Sequence, residues 1–170
     1  MLIGGQIGSG KTAVATSLAE TCDALYIPVR AALQEILGGR DWDRPRLQKE
    51  GAELDRRTNG RWVLEYLSRF EDKRIVVDAA RTRRQVEPIL EAGIGSRLVY
   101  LAASEYTRRN RYALAQATDM VKRSTPFDRA MNHPTEIEAT ALRAMADIVI
   151  ETDDFTVTEV VQELRVSLSW

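Results

Sequence analysis

The chain has 170 residues, 24 of them Lys or Arg and 25 Asp or Glu, for a net charge of −1. That length suits one domain with a substantial core, and the balanced charge excludes recruitment of nucleic acid or an anionic membrane by an overall field. A single cysteine, Cys22, excludes an internal disulfide, and no apolar run reaches the roughly 20 residues of a membrane span, so a cytoplasmic protein is the expectation.

The first predicted strand, Leu2–Gly4, is short and expected to fray, because the chain begins at Met1. It runs into Gly5-Gln6-Ile7-Gly8-Ser9-Gly10-Lys11-Thr12, which fits G-x-x-x-x-G-K-[ST] without a mismatch. A helix follows over 12–21, with Val14 and Leu18 at helical spacing, and Cys22 at its end reads as a small buried hydrophobe. Glycines at these positions let backbone N–H groups converge on an anion, and the helix N-terminus adds partial positive charge. Gly8, Ser9, Gly10, Lys11 and Thr12 are therefore predicted to bind a nucleoside triphosphate, taken as ATP, with Lys11 reaching the β- and γ-phosphates and the Thr12 hydroxyl sitting on Mg²⁺; no motif reads the base.

A second strand is predicted at Ala24–Ile27. Pro28 to Phe70 then reads as a helical insertion: Val29–Leu37, stopped by Gly38-Gly39; Arg46–Arg57, after Pro45; and Trp62–Phe70. Trp62, Tyr66 and Phe70 fall on one helix face and read as core packing, with a base-stacking platform as the alternative. Arg30, just past the second strand, is a candidate for the phosphate of a second substrate or else a surface residue.

Arg74–Ala79 and Arg97–Ala102 read as strands buried on both faces, and Asp147–Glu151 as a fifth strand. Strands alternating with helices argue for an α/β fold with a parallel sheet. Asp78 ends the third strand, where ligands of such sheets gather. It is positioned to hold Mg²⁺ through water or to accept a proton from an attacking hydroxyl; capping the next helix is the alternative. Arg81 offers a forked donor to a phosphate, and Arg83 and Arg84 read as solvated neighbours.

A second excursion runs over about 106–135, with Arg108, Arg109 and Arg111 on one helix suited to a mobile cover over a transferring phosphoryl group. Lys122 and Arg123 carry the same hypothesis, and His133 reads as a structural loop residue. Helices over 135–146 and 155–168 complete the chain, with no internal repeat and no Cys/His set at metal-ligand spacing.

Together the phosphate loop, the insertion after the second strand, the strand-end Asp and the arginine-bearing cover resemble P-loop nucleoside monophosphate kinases: adenylate kinases, dephospho-coenzyme A kinases and phage-type deoxynucleoside monophosphate kinases. Tyr26-Ile-Pro-Val-Arg30 is similar to the adenylate kinase stretch whose arginine grips the acceptor. Asp78-Ala-Ala-Arg81 is similar to an Asp-Gly-x-Arg pattern, with Ala79 where the pattern has glycine. Leu47-Gln48-Lys-Glu-Gly51-Ala-Glu53, followed by Trp62, resembles the segment lining the acceptor pocket of deoxynucleotide kinases. Leu98–Leu101 with Glu105 through Arg111, and Ala146-Asp147-Ile-Val-Ile150, resemble the dephospho-coenzyme A kinase cover helix and last strand. In that cover a second arginine often follows one turn on, where this chain has Ala115.

The resemblance implies a three-layer P-loop NTPase fold of about five parallel strands in the order 2-3-1-4-5, with an acceptor-binding insertion at 29–70 and a cover at 106–135. It implies an ATP- and Mg²⁺-dependent phosphotransferase acting on a nucleotide-like acceptor, a (deoxy)nucleoside monophosphate first. The alternatives are a kinase of dephospho-coenzyme A or a non-nucleotide metabolite, and a nucleotide-dependent accessory ATPase or switch. Lys11, Asp78 and Arg111 would be catalytic, with Arg111 closing over the γ-phosphate. Arg30, Gln48, Asp78 and Arg81 would hold the acceptor, and Thr12 and Asp78 the metal. The implied partner is a small molecule, neither nucleic acid nor membrane, and a homodimer stays open.

Overall fold

The computed structural model describes residues 1–39, 42, 44–70, 72–93, 95–117 and 125–168. Five short strands, β1 (Leu2–Gly5), β2 (Leu25–Pro28), β3 (Ile75–Asp78), β4 (Leu98–Ala102) and β5 (Ile148–Glu151), pair in parallel in the order β2-β3-β1-β4-β5. This is the expected order. Met1 O accepts the Val77 N–H at 2.8 Å, so β1 is paired from its start and not frayed.

The continuous apolar runs of the strands are explained by burial on both faces. Leu2, Val77, Leu98 and Tyr100 pack into one core layer, and Ile3, Val76, Val99 and Leu101, their neighbours along the chain, into the other. The first layer is covered by α2 (Val29–Ile36), α3 (Arg44–Thr58), α4 (Trp62–Leu67) and α5 (Arg83–Glu91). The second is covered by α1 (Lys11–Thr21) and α9 (Val157–Leu168), whose Val14, Leu18, Val160 and Leu164 are buried there. Each such side chain contributes about 1.5–3 kcal/mol by leaving water. The result is a three-layer, doubly wound α/β fold.

Between β4 and β5 lie α6 (Glu105–Gln116), α7 (Phe127–Met131) and α8 (Pro134–Ala141). Ile7 of the phosphate loop packs with Tyr112, Phe127 and Ala130 of this excursion in a separate small cluster. Two predicted helices tighten at their ends: Ser68–Phe70 and Leu142–Met145 are 3₁₀ turns. Gly38 and Gly39, both at positive φ, close α2, with Gly39 N–H donating to Gln34 O at 2.8 Å. Among the described residues no helix is long and apolar enough to cross a membrane.

Candidate active site

The C-terminal ends of the parallel strands bring Gly5, Pro28, Asp78 and Ala102 to one edge of the sheet. There the chain turns from β1 into α1 through the glycine loop. Gly8 has φ +80°, and a Cβ added to it would lie 2.4 Å from Arg108 O, so a side chain is excluded by both conformation and space. Gly10 has φ +94° and opens toward Arg111 Nη1, 3.9 Å from where its Cβ would be. No side chain caps α1, leaving first-turn N–H groups for an anion. Ser9 N–H, by contrast, turns back to Gln6 O at 3.2 Å.

Lys11 is buried and its Nζ donates to Gln6 O at 2.6 Å. Burial pulls its ammonium pKa down to about 8; the Glu136 and Asp78 carboxylates oppose that shift, and the Arg81 and Arg108 guanidiniums add to it. Asp78 is also buried, and its Oδ2 accepts from Thr12 Oγ1 at 2.9 Å and from Tyr26 Oη at 2.8 Å. Burial first, then the neighbouring carboxylate, pushes the Tyr26 phenol up to about 12. Asp78 Oδ1 is buried with no hydrogen-bond partner. One carboxylate oxygen left open beside a loop hydroxyl suits Mg²⁺, which takes one or two protein oxygens and completes its shell with water and phosphate. Thr12 and Asp78 therefore fit the metal.

Two cavities open from this edge. One, of about 690 Å³, is lined by Gly8 through Thr12 together with Arg111 and the half-exposed Phe155. The other, of about 980 Å³, is lined by Arg30, Leu33, Gln48, Trp62, Arg81 and Arg84, among others. Ile7, Ala79 and Arg81 line both, so the cavities meet at that point. His133 also lines the larger one, while its Nδ1 accepts from Thr135 N–H at 3.3 Å to cap α8.

The floor of the larger cavity is a buried polar network. Asp55 accepts from Trp62 Nε1 at 2.5 Å and from Gln85 Nε2 at 3.0 and 3.1 Å. Burial raises the Asp55 pKa against these donors. Trp62 is 3% exposed and belongs to the core, with Tyr66 and Phe70 packed against the same cluster, so the core reading holds over base stacking.

The arginines separate by environment. Arg109 faces solvent, paired with Asp128 and Glu105, which raise its pKa. Arg83 is likewise outside, on Glu87. Both Arg83 and Arg84 also line the larger cavity. Arg30 is exposed at the same cavity's wall. Arg111 lines the smaller cavity, with Nη1 and Nη2 on Thr152 Oγ1 and O at 2.8 and 2.6 Å, and the Thr152 hydroxyl lies within donating distance of Ala102 O at 3.1 Å and Ser9 O at 3.3 Å. Arg108 is buried, gives Nε–H to Ala103 O at 3.2 Å and has no partner for Nη1. Lys122 and Arg123 lie outside the described residues.

Sequence reasoning missed Glu136, Asp55, Tyr26 as an Asp78 ligand, and Thr152. Glu136 is 1% exposed, accepts the Ile7 N–H at 2.8 Å and is paired with Arg81. Its only sequence signal is a place three residues after His133 at the start of a helix, which reads as ordinary capping.

No protein-family model and no curated protein matches the chain. Among solved structures it is similar to a shikimate kinase from Aquifex aeolicus, at 19% identity and a TM-score of 0.67 over 99% of this chain and 95% of that one. A shikimate kinase from Acinetobacter baumannii in complex with shikimate matches at 19% identity and 0.61, over 99% of this chain and 91% of that one. A gluconokinase from Sinorhizobium meliloti 1021 matches at 19% identity and 0.57, over 99% of this chain and 90% of that one. The chain has the fold of these P-loop kinases. At such identities the likeness is one of fold, and it supports the P-loop kinase resemblance at that level without singling out nucleoside monophosphate kinases.

Proposed function

We propose that this protein transfers the γ-phosphoryl group of ATP to an anionic small molecule, a nucleoside monophosphate first, held in the larger cavity. The observation that carries the reading is the meeting of two cavities at Arg81, one backed by the glycine loop and Lys11, the other walled by Arg30 and Arg84. A phosphoryl group delivered along the first would face an acceptor lying in the second.

Positioning and charge neutralisation carry the rate of such a transfer. Loop amides and the α1 N-terminus would hold the β-phosphate. Lys11 would exchange its bond to Gln6 O for phosphate oxygens, and Arg111, with Thr152 holding it beside Ser9, would bind on the nucleotide side. An arginine reaching the transferred group is worth roughly 10³–10⁵ in rate, which makes Arg111 and the buried Arg108 the two to compare. Mg²⁺ held by Thr12 and Asp78 would neutralise charge developing on the phosphates. Arg30, Gln48 and Arg81 would seat the acceptor, the 29–70 insertion forming its site and the 106–135 segment the cover.

The basic wall opposes a neutral polyol, and a volume of about 980 Å³ is at the upper end of small-molecule sites, ample for a nucleotide. A second reading, a non-nucleotide metabolite such as shikimate, is favoured by the similar structures, shikimate kinases and a gluconokinase. An acceptor hydroxyl would then give its proton to Asp78, whose buried Oδ1 has no hydrogen-bond partner. The deciding experiment is ADP release with a panel of nucleoside and deoxynucleoside monophosphates, dephospho-coenzyme A, shikimate and gluconate. Activity with one acceptor, abolished in a folded Lys11→Ala variant, is expected. ATP turnover indifferent to every acceptor, or undiminished without Lys11, would end the assignment.

A further inference from the structure

Glu136 stands three residues after the cap of α8, where a glutamate ordinarily folds back onto the cap residue's own N–H. That N–H, from His133, is instead given to Ala130 O at 3.3 Å. The Glu136 side chain crosses to the phosphate loop, and Oε2 accepts Ile7 N–H at 2.8 Å. Its other oxygen takes Nη1 of Arg81. The Glu136 side chain is 2% exposed and that of Arg81 31%, so the buried partner is fixed and the arginine keeps N–H groups beyond the one this pair uses. Ile7 and Arg81 are residues at which the two cavities meet.

We infer that Glu136 is a positioning residue that locks Arg81 to the phosphate loop and so holds the acceptor seat in register with the nucleotide seat. A free arginine at this junction would sample many rotamers. Pinned by one edge, it presents a fixed fork to an incoming anion. The carboxylate also gives Ile7 N–H a buried acceptor, so a disturbance of Arg81 is felt in the loop. The inference rests on the kinase reading in taking the loop as a nucleotide seat and the larger cavity as the acceptor's.

The test is a double-mutant cycle of Glu136→Gln and Arg81→Gln, with MgADP binding measured by calorimetry and thermal melting followed in parallel. Glu136→Gln keeps an oxygen for Ile7 N–H and loses the charge that holds Arg81. Arg81→Gln is expected to weaken MgADP binding by roughly fivefold when Glu136 is present and hardly at all when it is Gln, within the range of directly contacting pairs. Effects that multiply independently, or a lowered melting temperature with unchanged affinity, would overturn the coupling. Should Glu136→Gln fail to fold, the partly exposed Arg81→Lys serves. The Ile7 amide should shift its NMR resonance and exchange faster in that variant; an unmoved amide overturns the proposal. A wild-type protein that does not bind MgADP would bring down the nucleotide seat itself, an outcome distinct from independent effects on normal binding.

Discussion

Thr12 Oγ1 donates to Asp78 Oδ2 across 2.9 Å, joining the first turn of α1 to the end of β3. Tyr26 from the neighbouring strand shares the same oxygen, while the second oxygen, Oδ1, is buried with no hydrogen-bond partner. The pair thus fixes one carboxylate oxygen structurally and leaves its twin without a protein donor.

If that division of labour holds, Asp78→Asn should keep the fold, because an amide can still accept from Thr12 and Tyr26. Turnover should fall by roughly 10²–10³-fold, the usual loss when a preorganised charge-stabilising group is removed. Thr12→Val, which keeps shape and loses the hydroxyl, should lower turnover and raise the Mg²⁺ concentration needed for half-maximal rate. Steady-state rates across a Mg²⁺ titration check both. An unchanged Mg²⁺ requirement in both variants would remove Thr12 and Asp78 as the metal's holders.

Lys11 supplies a pH dependence. Its ammonium must be charged to bind phosphate, and burial lowers its pKa to about 8. A bound polyphosphate favours the charged form, so above pH 8 binding takes up a proton and MgADP affinity should decline with rising pH. Below that pH the affinity should be flat as far as Lys11 is concerned. Calorimetry in buffers of different ionisation enthalpy will read the proton uptake. Flat affinity from pH 7 to 9.5 would mean that this lysine does not meet the phosphates.

Ala79 follows Asp78 with φ +64°, the left-handed region, where the resembled kinases carry glycine. Its N–H donates to Ile3 O at 3.2 Å, which holds the turn in place. Ala79→Gly removes a strain of about 1–2 kcal/mol and adds an unfolded-state entropy cost of about 0.4–1 kcal/mol. A net gain of about 0.5–1 kcal/mol in stability is expected, measured by urea unfolding. A loss of similar size would mean that the alanine packs well enough to offset its backbone.

These residues also mark how far the sequence could be read. The phosphate loop was legible because backbone geometry demands glycine: Gly8 lies against the Arg108 carbonyl, and a side chain there has no room. Strand positions were legible because burial on both faces forces apolar runs such as Leu98–Leu101. Glu136 and Asp55 were not, because each acts through partners 129 and 30 residues away and has no local pattern that marks it. Nor could the sequence distinguish Arg108, Arg109 and Arg111. One helix presents them at different angles, and their burial is set by Phe127, Asp128 and Thr152 arriving from elsewhere in the chain.

The wall of the larger cavity depends on one tight approach that tests the role of the insertion. Gly60 sits between α3 and α4 at φ +75°, and a Cβ there would lie 1.9 Å from Arg84 O, at the first turn of α5. Beside it, Asp55 of α3 holds Trp62 of α4 and Gln85 of α5, so the insertion is clamped to the helix that follows Arg81. Gln85 Oε1 accepts the Arg81 N–H at 3.1 Å, carrying the clamp to the junction of the two cavities. Gly60→Ala combines a left-handed backbone with a collision against main chain, which no side-chain rotation relieves. A stability loss of about 2–4 kcal/mol is expected. In the fraction that remains folded, the acceptor KM should rise by a larger factor than the MgADP Kd, because the glycine loop is held mainly by β1 and α1 and feels the clamp only through Arg81 and Glu136. Unfolding curves together with the two affinities check this, and equal weakening of both substrates would show that the insertion is not a separate acceptor-binding element.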